Sequence, residues 1–171
     1  VLIHTININV TKSNTSSGLS DWNDITFNNI NKEIIYSNVF DNTGISTGVS
    51  IRIFDGSNGS TINNVADNGT ALNGGNVIPD QVKRFAAYTT GNGVFNLEGL
   101  NPDNLYTISF HSGRNGSGSR LTAFEINGIS KTIESIDNTQ DNITFANLIP
   151  SSGGVLEVTF SDVNSSWGYL N

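Results

Sequence analysis

No cysteine occurs in this chain, so it can hold neither a disulfide nor a thiolate zinc site, and without methionine the core lacks its usual flexible filler. Cations are scarce as well: eight Lys and Arg stand against fifteen Asp and Glu, giving a formal charge of -7. That balance argues against a nucleic-acid partner, because tracking phosphates needs a surplus of Lys and Arg. Apolar runs such as Val155-Leu156 fall far short of the roughly 20 residues of a membrane helix, so no membrane partner is expected either. Only 13% of residues are charged, where an ordinary domain carries roughly a quarter, and polarity comes mostly from Asn, Ser, Thr and Gly. A chain of 171 residues can bury a sufficient core as a single domain, 1–171, and as a monomer without disulfides. No signal peptide opens it, and Val1 leads almost at once into a strand pattern, which predicts a piece excised from a longer product.

Alternation with a period of two recurs through the sequence. It links Ile6, Ile8 and Val10; Val49, Ile51 and Ile53; Tyr106, Ile108 and Phe110; Thr122, Phe124 and Ile126; and Leu156, Val158 and Phe160. Such a period means strands with one buried face. Further short strands are expected at 34–39, 93–97, 131–136 and 142–146, and Tyr169-Leu170-Asn171 looks like part of another. Turn-formers such as Asp41-Asn42-Thr43-Gly44, Asn73-Gly74-Gly75, Gly91-Asn92-Gly93 and the glycine-bearing stretch 55–59 separate these runs. The pattern predicts an all-β fold, a two-sheet antiparallel sandwich of jelly-roll type. At most one short helix is expected, over 79–88, where Pro79 suits a first helical position and Val82, Phe85 and Ala86 could share a face.

Catalytic patterns are largely missing. There is no H-E-x-x-H, no P-loop and no G-x-G-x-x-G opening a helix, and neither His4 nor His111 sits in a sequence context that suggests a triad. Glu98, Glu125, Glu134 and Glu157 mostly occupy the polar phase of an alternation, where exposure to solvent is the simple explanation. No enzymatic role is expected.

Sugars are held by aromatic rings against their apolar faces and by planar polar side chains and Arg on their hydroxyls. Trp22 and Trp167 lie in turn-rich contexts, as either lids on the core or ligand platforms. Tyr88 follows Lys83 and Arg84, which offer two cations near a ring. The stretch from His111 through Arg114 and Asn115 to Arg120 places a His and two Arg in a loop of small residues. In a chain so poor in cations this clustering points to a ligand: Arg forks match hydroxyl pairs, carboxylates and sulfates, and glycines let a ligand approach the backbone. The alternative is an Arg paired with Asp21 or Asp162 to pin the loop. The candidate ligand-binding set is therefore Lys83, Arg84, Tyr88, His111, Arg114, Asn115, Arg120 and Trp167. No cofactor is required. One structural calcium ion is compatible with the turn-borne Asp21, Asp24, Asp41, Asp55, Asp67 and Asp162, although none follows a calcium-loop spacing.

The order of segments resembles a known family. It runs from 6–10 to Asp21-Trp22-Asn23, then to Phe95-Asn96-Leu97-Glu98-Gly99-Leu100-Asn101-Pro102. Arg114 and Arg120 follow, then Phe124-Glu125-Ile126-Asn127-Gly128, and last Trp167-Gly168-Tyr169-Leu170-Asn171. It is similar to the non-catalytic, galactose-binding-like carbohydrate-binding modules appended to secreted bacterial enzymes that degrade polysaccharides, especially marine algal glycans. The resemblance implies a secreted module that keeps a linked hydrolase or lyase on a polysaccharide, such as an algal galactan or another partly acidic glycan. It also implies binding by loops at one end of the sandwich, at His111, Arg114, Arg120 and the segment 83–88. Two other classes stay open: a spacer or protein-adhesion module, and a small glycan-active enzyme.

Overall fold

The computed structural model describes residues 5–12, 15–27, 33–55, 60–70, 78–164 and 167–171. His4, the 56–59 part of one expected turn and Asn73-Gly74-Gly75 lie outside these residues. In chain order the strands are β1 (Ile8–Thr11), β2 (Asn23–Thr26), β3 (Ile34–Tyr36), β4 (Ser50–Ile53), β5 (Ile62–Ala66) and β6 (Ala86–Thr89). They continue with β7 (Asn92–Glu98), β8 (Tyr106–His111), β9 (Leu121–Ile126), β10 (Ile129–Glu134), β11 (Asn142–Leu148), β12 (Leu156–Asp162) and β13 (Gly168–Leu170). The fold is all-β, in agreement with the periodicity.

Six strands form one antiparallel layer in the order β10-β9-β12-β7-β4-β3. Alternation decides which way their side chains point: Ile51, Ile53, Phe95, Phe124, Ile126, Leu156, Val158 and Phe160 are buried, while Glu125 and Glu157 stand on the opposite, solvent face. Against the buried face lies the pair β11-β8. Phe110 of β8 stacks on Phe124 at 4.6 Å with ring planes 5° apart, and it meets Phe95 and Phe145 edge to face. These rings join the two layers into a sandwich.

A three-stranded sheet, β13-β6-β5, extends the second layer. It is tied to β8 by Asn171, whose backbone N–H donates to the His111 carbonyl at 3.2 Å. The Asn171 side chain donates to the Phe85 carbonyl at 2.8 Å and accepts the Gly113 N–H, so one terminal residue sews three segments together. Ala87 and Leu170 of this sheet point into the shared core.

Two features differ from the expectation. The β1-β2 pair is parallel, with Ile8 opposite Asn23 and Thr11 opposite Thr26, so the sandwich is not wholly antiparallel. In the described part of its link, 15–22, Ser16 and the Ser17 N–H both donate to the Asp24 carboxylate. The helix expected over 79–88 shrinks to a single 3₁₀ turn at Val82–Arg84, and the chain is extended again from Phe85. Val82, Phe85 and Ala86 are buried as expected, but Ala86 and Ala87 are buried because β6 is the central strand of its sheet. Burial on both faces of a short strand mimics the apolar clustering of a helix turn.

Candidate functional site

β6 and β13 present one cluster away from the core. Tyr88 lies directly opposite Tyr169, and Trp167, two residues before Tyr169, projects from the same face of the sheet. The Tyr88 and Trp167 rings meet at 5.0 Å with planes 75° apart, forming a corner rather than a flat platform. Both residues are half-buried. β13 lies close beside β12 because Gly168 has no side chain: a Cβ there would stand 2.6 Å from the Ser161 carbonyl carbon and 2.8 Å from the Asp162 nitrogen.

The loop after β8 brings its two arginines to this corner. Arg114 Nη1 donates to the Tyr169 hydroxyl at 2.6 Å and Arg120 Nη1 donates to the same oxygen at 3.1 Å. The Arg114 guanidinium also stands 5.2 Å from the centroid of the Tyr169 ring. Sharing one oxygen confines two like charges to within about 6 Å, which costs on the order of 1–3 kcal/mol at effective dielectric constants of 20 and above. Among the described residues the ion pairs join Arg52 to Glu33 and Glu98, Lys83 to Asp80 and Arg84 to Asp67, and none engages Arg114 or Arg120. The expected partners Asp21 and Asp162 are thus replaced by a neutral phenol.

Both arginine backbones are fixed. The Arg114 N–H donates to the Ser135 carbonyl at 2.8 Å, the Arg114 carbonyl accepts the Asp137 N–H at 2.8 Å, and the Arg120 N–H donates to Glu134 Oε1 at 2.7 Å. Glu134 also accepts from Ser119 and from the Ile136 N–H. Burial works to raise its pKa, but these hydrogen bonds to the carboxylate outweigh burial and hold it below the ordinary value.

Tyr169 is held by a closed circuit of buried hydroxyls. Its N–H donates to Thr122 Oγ1 at 3.0 Å, Thr122 lies 2.8 Å from Ser135, Ser135 lies 2.7 Å from Ser112, and Ser112 donates to the Tyr169 carbonyl at 2.8 Å. With each hydroxyl giving one proton and accepting one, every member is satisfied. Tyr169 and this triad were absent from the candidate residues. The Trp167-x-Tyr169 spacing was the available signal, since a period of two puts both rings on one face.

The remaining candidates fall elsewhere. His111 is 5% exposed, and its Nδ1 faces the Asp141 carbonyl and Asn142 Oδ1, both at 3.1 Å, so Nδ1 carries the proton. Burial pushes its pKa down, and Nε2 is enclosed without a partner. Lys83 is 0% exposed, with its ammonium 2.8 Å from Asp80. Both lie in the interior, whereas the sequence suggested ligand-facing positions. Arg84 is exposed and grips Asp67 with two hydrogen bonds, and Asn115 donates to the Gly69 carbonyl at 2.7 Å. The structure therefore groups Tyr88, Arg114, Arg120 and Trp167, and it directs Lys83, Arg84, His111 and Asn115 to other partners. Trp22 is half-buried in the turn before β2.

Two further places merit comparison. Gly44-Ile45-Ser46-Thr47-Gly48 matches the G-x-S-x-G nucleophile pattern, but it forms a turn in which Ser46 bridges Phe40, without the strand-to-helix elbow that the pattern requires. A shallow depression on the solvent face of the six-stranded sheet is lined by Asn92, Ala123, Glu125, Ser130, Thr159 and Ser161. It contains no aromatic ring to lie against a sugar. For metals, no group of three His, Asp or Glu side chains is arranged to hold an ion among the described residues.

No known protein-family model matches the chain, and no curated protein matches it. Among solved structures it is similar to a carbohydrate-binding module, TmCBM61, determined in complex with β-1,4-galactotriose. The identity is 15% over 52% of this chain and 67% of that one, with a TM-score of 0.29. At that identity and score the superposition carries neither fold nor ligand over to this chain.

Proposed function

We propose that the domain is a non-catalytic carbohydrate-binding module. It is a secreted monomer that holds a linked hydrolase or lyase on a polysaccharide, a marine algal galactan or another partly acidic glycan, and so raises the effective concentration of the enzyme at its substrate. One observation carries this reading: two half-buried aromatic rings form a corner at 5.0 Å, next to two guanidiniums that converge on a single phenol. Rings of this kind cover the apolar face of a pyranose, and the forks donate to its hydroxyls and acidic groups.

The reading requires no metal ion. Asp24 Oδ1 is taken by Asn9, its Oδ2 by Ser16 and Ser17, and Asp41 Oδ1 by Thr43 and the Ile45 N–H, so both carboxylates already serve turns. It also requires no catalytic carboxylate. Glu98 pairs with Arg52 at 2.7 Å, and Glu134 serves the arginine loop.

Affinity electrophoresis against agarose, porphyran, carrageenan, alginate and plant galactans tests the proposal. Retention of the wild-type domain by at least one gel is expected, with loss of most of it in Trp167→Ala. Free migration through every gel overturns the proposal, and release of reducing ends or unsaturated uronates by the isolated domain would make it an enzyme instead.

A further inference from the structure

The Arg114–Arg120 pair is more than a neutral sugar needs. Hydroxyls are served by single donors of either charge state, whereas this chain of net charge -7 brings two of its eight cations onto one uncharged oxygen. Arg114 Nε is buried and has no hydrogen-bond partner. Two carboxylates serve the loop: Glu134 gives both oxygens to the Arg120 and Ile136 N–H groups and to Ser119, and Asp137 Oδ1 accepts the Gly116 N–H at 3.2 Å. Both steady the backbone, and among the described residues no carboxylate forms an ion pair with either guanidinium. Their backbones are pinned to Ser135, Asp137 and Glu134, and both forks are held by the Tyr169 hydroxyl before any ligand arrives.

From this we infer that Arg114 and Arg120 form an anion subsite for a sulfate ester on the bound polysaccharide, at Tyr169, which lies opposite Tyr88 across β13 and β6. The inference rests on the carbohydrate reading above and deepens it. A planar carboxylate has two oxygens and is filled by one fork, whereas a sulfate ester offers three terminal oxygens to donors arriving from two directions. Two forks that already meet at one atom suit the second geometry. Tyr169 is the positioning residue: its hydroxyl gathers both guanidiniums while the site is unliganded.

Calorimetry with three probes tests the subsite: a neutral agarose oligosaccharide, its sulfated porphyran counterpart, and an alginate oligosaccharide of the same length as the uronate arm. The wild-type domain is expected to bind the sulfated probe about tenfold tighter than the neutral one, with the advantage shrinking as salt rises. In Arg114→Gln/Arg120→Gln the advantage of the sulfated probe should vanish, so that this variant binds the sulfated and the neutral probe alike. Arg114→Lys/Arg120→Lys keeps the charge without the forks and should recover only part of the preference, in a domain whose melting point confirms its fold. Equal wild-type affinity for neutral and sulfated probes, or a preference that survives the Gln pair, overturns the subsite and leaves the carbohydrate reading standing. Alginate binding as tight as porphyran overturns the assignment to sulfate. Failure of every probe, with Trp167→Ala no different from wild type, overturns both.

Discussion

Thr122 is the residue on which the geometry of the candidate site can be tested most sharply. It is fully buried, and its hydroxyl accepts the Tyr169 N–H at 3.0 Å while lying 2.8 Å from Ser135. Thr122→Val keeps the shape and removes the hydroxyl, which opens the circuit through Ser135 and Ser112 and strands the Tyr169 N–H without a partner. A buried donor left unpaired costs about 1–3 kcal/mol. With the broken Ser135 contact added, the loss should reach about 2–3 kcal/mol, or about 4–12 °C in melting temperature for a domain of this length. Thr122→Ser keeps the circuit and loses one methyl group, about 1 kcal/mol. Urea unfolding and thermal melting of the three proteins should therefore rank wild type first, Ser second and Val last. A Val variant as stable as wild type, or more stable than Ser, would refute the circuit, because a valine in an apolar site without hydrogen bonds would be neutral or favourable there.

Gly168→Ala places a Cβ 2.6–2.8 Å from the backbone of Ser161 and Asp162, where no flexible side chain can give way. A loss of about 1–3 kcal/mol and weaker retention on any gel that holds wild type are expected, since Trp167 and Tyr169 flank the shifted residue; unchanged melting would show that β13 does not pack as described. The pH dependence has two stages. His111 has a depressed pKa, so the unfolded chain binds its proton first: stability should hold above about pH 6.5 and fall as the pH drops below that value. Glu134 and Asp24 are also depressed, and they add a second loss below about pH 4.5. His111→Asn retains a donor near the position of Nδ1 and should flatten the first stage only, so an unaltered decline between pH 6.5 and 5.5 would rule out His111 as its source.

The strands that could be seen in the sequence are those with one dry and one wet face. β4, β7, β9 and β12 each alternate because the six-stranded sheet has solvent on its far side, and Phe95, Phe124, Val158 and Phe160 fall where a period of two puts them. β6 could not be seen in this way, since its Ala86-Ala87 is buried on both faces, and β5 carries Asn63 and Asn64 in place of an apolar phase. These are the strands that carry or neighbour the site. Arg114 and Arg120 stood out because cations are rare in this chain, and rarity is a property of composition, visible without a fold. Lys83 misled for the same reason: a cation beside Arg84 in a cation-poor chain is read as a surface group, while its burial depends on Asp80 and on a 3₁₀ turn that points it inward.

Tyr169 shows why the rest was hidden. Ser112, Thr122 and Ser135 come from the start of a loop, the beginning of β9 and the residue just after β10, at no spacing that a pattern could single out. Only the folded sheets bring three small hydroxyls to the N–H and C=O of one residue, and only then does Tyr169 turn its phenol toward both arginines. The cluster is therefore built in a definite order. The Phe110–Phe124 stack sets the layers, the hydroxyl circuit sets Tyr169, and Tyr169 sets the guanidiniums. A substitution should disturb the steps that follow it and spare those before it. Tyr169→Phe is the clearest instance: it leaves the circuit intact, because the circuit uses only the Tyr169 backbone, and it frees the two cations from their common oxygen.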